Sequence, residues 1–178
     1  MKKIFLILTT ILALINTSAF AKENAITIAI IDVEEVLKNS TVMKQVQEEI
    51  SKKEKSYQEQ INKKQKDLES DLKRIESKKS VLAEDALNKE KEQFSKNFND
   101  LKSEFESKQK ILKNAYAEAV VKIDEKINEI INKISKEKNI DLIIPASEVI
   151  YYDAKLDISA EVLTELNSRM KSLEVHFE

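Results

Sequence analysis

The chain has 178 residues with no cysteine, no glycine, one proline and one histidine. Those absences remove disulfides, thiolate metal sites and every glycine-rich phosphate loop, which needs backbone that only glycine lets approach a phosphate. With 30 Lys and Arg against 32 Asp and Glu, a formal charge of −2 and a pI near 5.7, no strongly basic surface points to nucleic acid.

The first 21 residues have the three parts of a secretory signal: Lys2 and Lys3, an apolar run from Ile4 to Ile15, then Ala19 and Ala21 as a small-x-small cleavage site. The run is shorter than the roughly 20 residues that cross a bilayer, and no cysteine follows it to carry a lipid. Cleavage is expected before Lys22. Losing Lys2 and Lys3 takes the formal charge from −2 to −4, unevenly spread: residues 44–121 hold 18 basic and 16 acidic side chains, so the remainder is acidic.

Residues 26–32 (ITIAIID) are short, β-branched and almost wholly apolar, which predicts a strand buried on both faces. Residues 32–37 then read as a short helical turn, with Asn39, Ser40 or Thr41 available to cap the next helix. From Met43 an apolar stripe steps by threes and fours through Val46, Ile50, Tyr57, Ile61, Leu68, Leu72, Ile75 and Leu82. It resumes through Leu87, Phe94, Phe98, Leu101, Phe105, Leu112, Tyr116, Ala119, Ile123, Ile127, Ile130 and Ile134, with Lys, Glu, Gln, Asn and Ser between. The register slips by two residues between the halves, so an unbroken helix would carry two seams on opposite faces. A bend near Ser80 removes the conflict and predicts an antiparallel helical hairpin over 42–122; a single helix with a local skip is the alternative. The body is then 22–41 and 123–178. Its further elements are strands at 140–144 and 149–152, a turn through Pro145 to Glu148, and a helix over about 158–173 with Val162, Leu163, Leu166, Met170 and Leu173 inward. The predicted fold is mainly α with a small β body, from which the long coiled-coil hairpin projects. So few short elements leave Ile26, Ile28, Ile30 and Ile31 in want of faces from other subunits.

Little enzymatic chemistry is available. His176 is the sole histidine and lies at the chain end, so neither a zinc cluster nor a Ser-His-Asp set can form around it. Acidic neighbours such as Glu48 and Glu49, and the set Asp67, Glu69 and Asp71, fall on charged helix surface where adjacent residues point apart. The pairs Lys52-Lys53, Lys63-Lys64 and Lys78-Lys79 are interleaved with Glu. Tyr57, Phe94, Phe98 and Phe105 are expected in the seam, with contact to an apolar client as the second reading.

Three segments carry a family resemblance. Residues 28–37 (IAIIDVEEVL) resemble the opening strand and turn of the Skp/OmpH family of periplasmic chaperones; residues 140–152 (IDLIIPASEVIYY) resemble its returning strand pair, and 157–163 (DISAEVL) its entry into the last helix. The resemblance implies an ATP-independent periplasmic holdase of a Gram-negative-type cell. It implies a homotrimer whose strands build a central body and whose arms enclose unfolded outer-membrane β-barrel proteins; the body contact is expected, from the apolar strands, at Ile28, Ile30, Ile31, Leu142, Ile144, Val149 and Tyr151. No cofactor, metal, nucleic acid or catalytic residue is implied. Family members are commonly basic, whereas this pI is 5.7, so only weak contact with an anionic membrane surface is expected and no lipid-binding residue is carried over. The competing expectation is an exported coiled-coil protein that tethers or spaces envelope components.

Overall fold

The structure, a computed structural model, describes residues 26–178; the expected signal segment and its cleavage site lie outside the described residues. The described residues are mainly helical with one small sheet. Strand β1 (Ile28–Ile31) leads into helix α1 (Val33–Asn39), then the long helices α2 (Thr41–Lys78) and α3 (Glu84–Lys138), strand β2 (Leu142–Pro145) and helix α4 (Ser159–Arg169). Single 3-10 turns occupy Ala146–Glu148 and Ala154–Leu156.

Local chemistry sets the boundaries. Asp32 caps α1 by accepting from the Glu35 amide at 2.8 Å. Ser40, fully buried, is the cap among the three candidates: its hydroxyl accepts from the Met43 amide at 3.1 Å and donates to the Leu37 carbonyl at 2.8 Å, joining α1 to α2. Helix α3 ends at Asn139, whose left-handed backbone (φ 51°) lets Ile140 N–H reach the Ser135 carbonyl at 2.8 Å. A glycine usually holds that position; in a chain without one, Asn is the residue that tolerates it best.

β1 and β2 pair in parallel, Ile28 against Leu142 and Ile30 against Ile144. A parallel partner needs a long crossover, and here it consists of α1, α2 and α3. The other edge of β1 is taken where Ile158 N–H donates to the Ile30 carbonyl at 2.9 Å, with a bridge to Asp157. This corrects the expected strand at 149–152, which is not one. Both edges of the four-residue β1 are occupied, and Pro145, lacking an N–H, closes β2 into a 3-10 turn. Ile150 and Tyr151 are left 106% and 85% exposed. The expected last helix also stops early, at Arg169 rather than near 173, and residues beyond it run on without helix.

The core gathers Ala29 and Ile31 of β1, Val36 of α1, Val42, Met43 and Val46 at the start of α2, the isoleucines at 123, 127, 130 and 134 of α3, and Val162 and Leu166 of α4. Ile30 and Ile31 are thus covered by their own chain, at 2% and 3% exposure, without a neighbouring subunit. Ile28 and Leu142, paired in register, stay on the surface.

Candidate functional site

Beyond the body, α2 and the first half of α3 pack only on each other. Lys78 meets Glu90 at 3.0 Å, Lys64 pairs with Glu104, and Lys108 donates to Gln60 at 2.9 Å. As one number falls the other rises, so the helices run antiparallel, separated by residues 79–83. At 1.5 Å per residue the 38 residues of α2 extend about 57 Å.

The seam is only half apolar. In this stretch α2 buries Ile61, Leu68 and Ile75, seven residues apart, and those at 6–9% exposure rather than fully. The intervening seam positions are Lys64, Asp71 and Lys78. On α3, Leu87, Phe94 and Leu101 alternate likewise with Glu90, Asn97 and Glu104. Apolar layers such as Ile75 with Phe94 and Leu68 with Leu101 therefore alternate with polar ones, Lys78 with Glu90, Asp71 beside Asn97, and Lys64 with Glu104. The polar layers are imperfectly closed, for the Glu90 Oε2 atom is buried without a hydrogen-bond partner. Lys64, then Lys108, hold the Glu104 carboxyl below its usual range.

This arrangement corrects the apolar seam expected on α3. Phe98, Phe105 and Tyr116 fall on one line of the helix beside the seam, 54%, 42% and 41% exposed, and Phe105 borders it, lining the groove between the helices with Tyr57 and Ile61. Leu72 of α2 is 43% exposed as well. Of the four side chains singled out from the sequence, Phe98 and Phe105 are open to solvent, whereas Phe94 and Tyr57 are half-buried. Tyr57 sits between two cations, Lys53 at 5.1 Å and Lys108 at 4.1 Å from its ring centre. Tyr116 and Leu72 were legible only as seam residues, because spacing alone does not tell a seam from the line beside it.

On the body, Ile30 and Ile31 are buried, Ile144 and Val149 half-buried, and Ile28, Leu142 and Tyr151 exposed. Ile26 (71% exposed), Ile28 and Leu142 lie together, since Thr27 accepts from the Asp141 and Leu142 amides at 2.9 and 3.3 Å. Asp157 lies on the other edge of β1, beside Ile30. Burial would raise its pKa, but hydrogen bonds from Ser159 (2.7 Å from its amide) and from the Tyr152 hydroxyl (3.1 Å) outweigh it and hold the carboxyl low; the same contact raises the Tyr152 pKa. Among the described residues no three His, Cys, Asp or Glu side chains converge as a metal site, and no helix is long and apolar enough to cross a membrane.

A compact two-stranded body bearing one long, loosely sealed two-helix arm defines a body-and-arm protein, a class set by shape rather than by a reaction centre. The family model for outer membrane protein (OmpH-like) matches residues 27–166, and the chain belongs to that family. An uncharacterized protein of Aquifex aeolicus (strain VF5) is 32% identical over 170 residues, spanning 94% of this chain and 97% of that protein. The fold is shared with an OmpH-like protein of Caulobacter crescentus CB15, described as a candidate outer membrane chaperone. The two agree with a TM-score of 0.81 at 18% identity, over 86% of this chain and 90% of that one.

Proposed function

We propose that the protein is an ATP-independent holdase of the periplasm, shielding unfolded outer-membrane β-barrel proteins between the arms of a homotrimer. The observation that carries this reading is the row of exposed aromatics, Phe98, Phe105 and Tyr116, on an arm whose own seam is half polar. A large side chain moved from water into contact contributes about 1.5–3 kcal/mol before ordering costs, so several weak contacts hold a chain without choosing its sequence. Membership of the OmpH-like family and the likeness to the Caulobacter protein support a chaperone role, and the signal pattern expected from the sequence of residues 1–21 supports export. A spacer would need the arm's length but not its uncovered aromatics.

For assembly, the exposed apolar side chains Ile26, Ile28 and Leu142 supply a face that water does not favour, and Ile150 and Tyr151 add two more on the segment that found no strand partner within its own chain. Leu142→Asp is expected to leave the monomer folded and dissociate the trimer. Ile30→Asp, buried at 2%, is expected to unfold the body itself. The weakly positive arm supports at most slight attraction to anionic membrane.

The test combines two measurements on the chain beginning at Lys22. Sedimentation should give three copies, and light scattering should show a urea-diluted β-barrel protein kept soluble at near-stoichiometric ratio with no effect of ATP. A monomer, or scattering that rises unhindered for several such clients, would overturn the proposal.

A further inference from the structure

After α4 the chain leaves the helix at Met170, turns, and lies along the first turns of α2. Exposure alternates along it: Leu173, Val175 and Phe177 are half-buried, whereas Glu174, His176 and Glu178 are exposed. Leu173 and Val175 pack on the core. Gln45 of α2 reads the backbone of Leu173 from both sides, accepting from its N–H at 2.9 Å through Oε1 and donating to its carbonyl at 3.0 Å through Nε2. The other Nε2 hydrogen goes to Glu49 at 2.6 Å, which fixes the amide in place. Two turns further along α2, Lys53 Nζ lies 5.1 Å from the centre of the Phe177 ring.

The spacings agree. Four extended residues, 173 to 177, advance about 13 Å, and eight helical residues, 45 to 53, about 12 Å. Inward side chains of a strand thus keep step with Gln45, Glu49 and Lys53, which share one helix face. Nothing in this recognition requires the tail's own sequence: the amide reads main chain, the ledge reads alternation, and the ammonium reads an aromatic ring. No backbone-to-backbone hydrogen bond ties residues 171–178 to the rest of the described chain.

We propose that this face of α2 is a binding ledge for extended peptide, occupied at rest by the chain's own tail, and that it accepts in the tail's place a strand segment of an unfolded β-barrel polypeptide. Transmembrane β-strands alternate apolar and polar residues, the pattern that Leu173, Val175 and Phe177 display. The ligand's identity rests on the proposed function; the ledge does not.

The test uses the chain ended at Lys171 and a fluorescent peptide of residues 170–178, followed by anisotropy. The shortened chain should bind the peptide at least about tenfold more tightly than the full chain does, and Gln45→Ala should lower its affinity by about tenfold with helicity unchanged. A peptide of the same composition with its apolar residues contiguous should fail, and an alternating strand peptide from a β-barrel protein should compete. Equal binding by full and shortened chains, or none by a folded shortened chain, overturns the ledge. Should the shortened chain not fold, Gln45→Ala in the full chain must speed amide exchange at Leu173, whose N–H Gln45 accepts, by about tenfold; unchanged exchange overturns the proposal equally. Tail-peptide binding without competition by the β-barrel strand removes the client while leaving the ledge, and loss of aggregation protection with peptide binding intact counts against the holdase reading alone.

Discussion

Helix α3 passes through two environments, and the contrast between them explains the molecule. Near its end Ile123, Ile127, Ile130 and Ile134 are 0–1% exposed, packed with α1, α2 and α4. Between Glu84 and Ile111 the same helix buries no side chain, because among the described residues α2 is the helix packed along it and half of their shared seam is charged or amidic. Helix propensity is similar in both stretches. What differs is the number of partners, and tertiary packing supplies most helical stability in water. The body is therefore expected to open only with global unfolding, and the arm locally and at lower cost.

The largest effect that sharpens this contrast is cavity formation. Ile127→Ala in the body is expected to cost about 2–5 kcal/mol, whereas Ile75→Ala in the arm, where solvent and neighbours can fill the gap, is expected to cost less than half as much. Urea unfolding followed by circular dichroism reads both; equal losses would erase the distinction. A smaller effect should blur it deliberately. Replacing one polar layer, Lys64→Leu with Glu104→Leu, removes two ion pairs of low worth, Glu104 with Lys64 and with Lys108, and adds apolar contact, stabilising the arm by about 1 kcal/mol. Amide exchange across residues 61–75 and 94–108 should slow, and exchange in the body should not change.

Acid should have the smallest effect. Lys64 holds Glu104 low, Arg169 and then Lys133 hold Glu165 low, and the Ser159 contacts hold Asp157 low against its burial. Each folded-state pKa lies below its unfolded value. Their stabilisation is therefore complete above the ordinary carboxylate range and is lost as pH falls through the folded values, below about pH 4. Melting temperature should stay flat from pH 7 to 5 and fall only below about pH 4. A fall already at pH 6 would show that other groups govern the fold.

Much of this was legible in the sequence, for reasons that also mark where legibility ended. The apolar run IAII of β1, the Ser40 cap and the long three-and-four stripes are local signals, and local signals survive folding. The strand expected at 149–152 failed because VIYY has strand propensity but no edge to pair with: Ile158 had taken it. Phe98 and Phe105 satisfied the seam spacing as well as Asn97 and Glu104 did, and hydrophobicity favoured the aromatics. Lysines across the interface, Lys64 and Lys78, reverse that preference by drawing Glu104 and Glu90 inward. The tail was hidden by Met170 and Leu173, which fit a helix extended from Leu166, although the alternation of Leu173, Val175 and Phe177 was already visible as a period of two.

The central claim is that the arm's uncovered aromatics hold client while contributing little to the fold. The most direct measurement is aggregation protection by the triple variant Phe98→Ser, Phe105→Ser and Tyr116→Ser, at a concentration where the unaltered protein keeps a urea-diluted β-barrel protein soluble. These side chains are 41–54% exposed, so each substitution should alter stability by only about 0.5 kcal/mol. The account predicts unchanged sedimentation and a stability lowered by no more than about 1.5 kcal/mol in all, together with lost protection, scattering rising as it does for client alone. Full protection by the triple variant would contradict it.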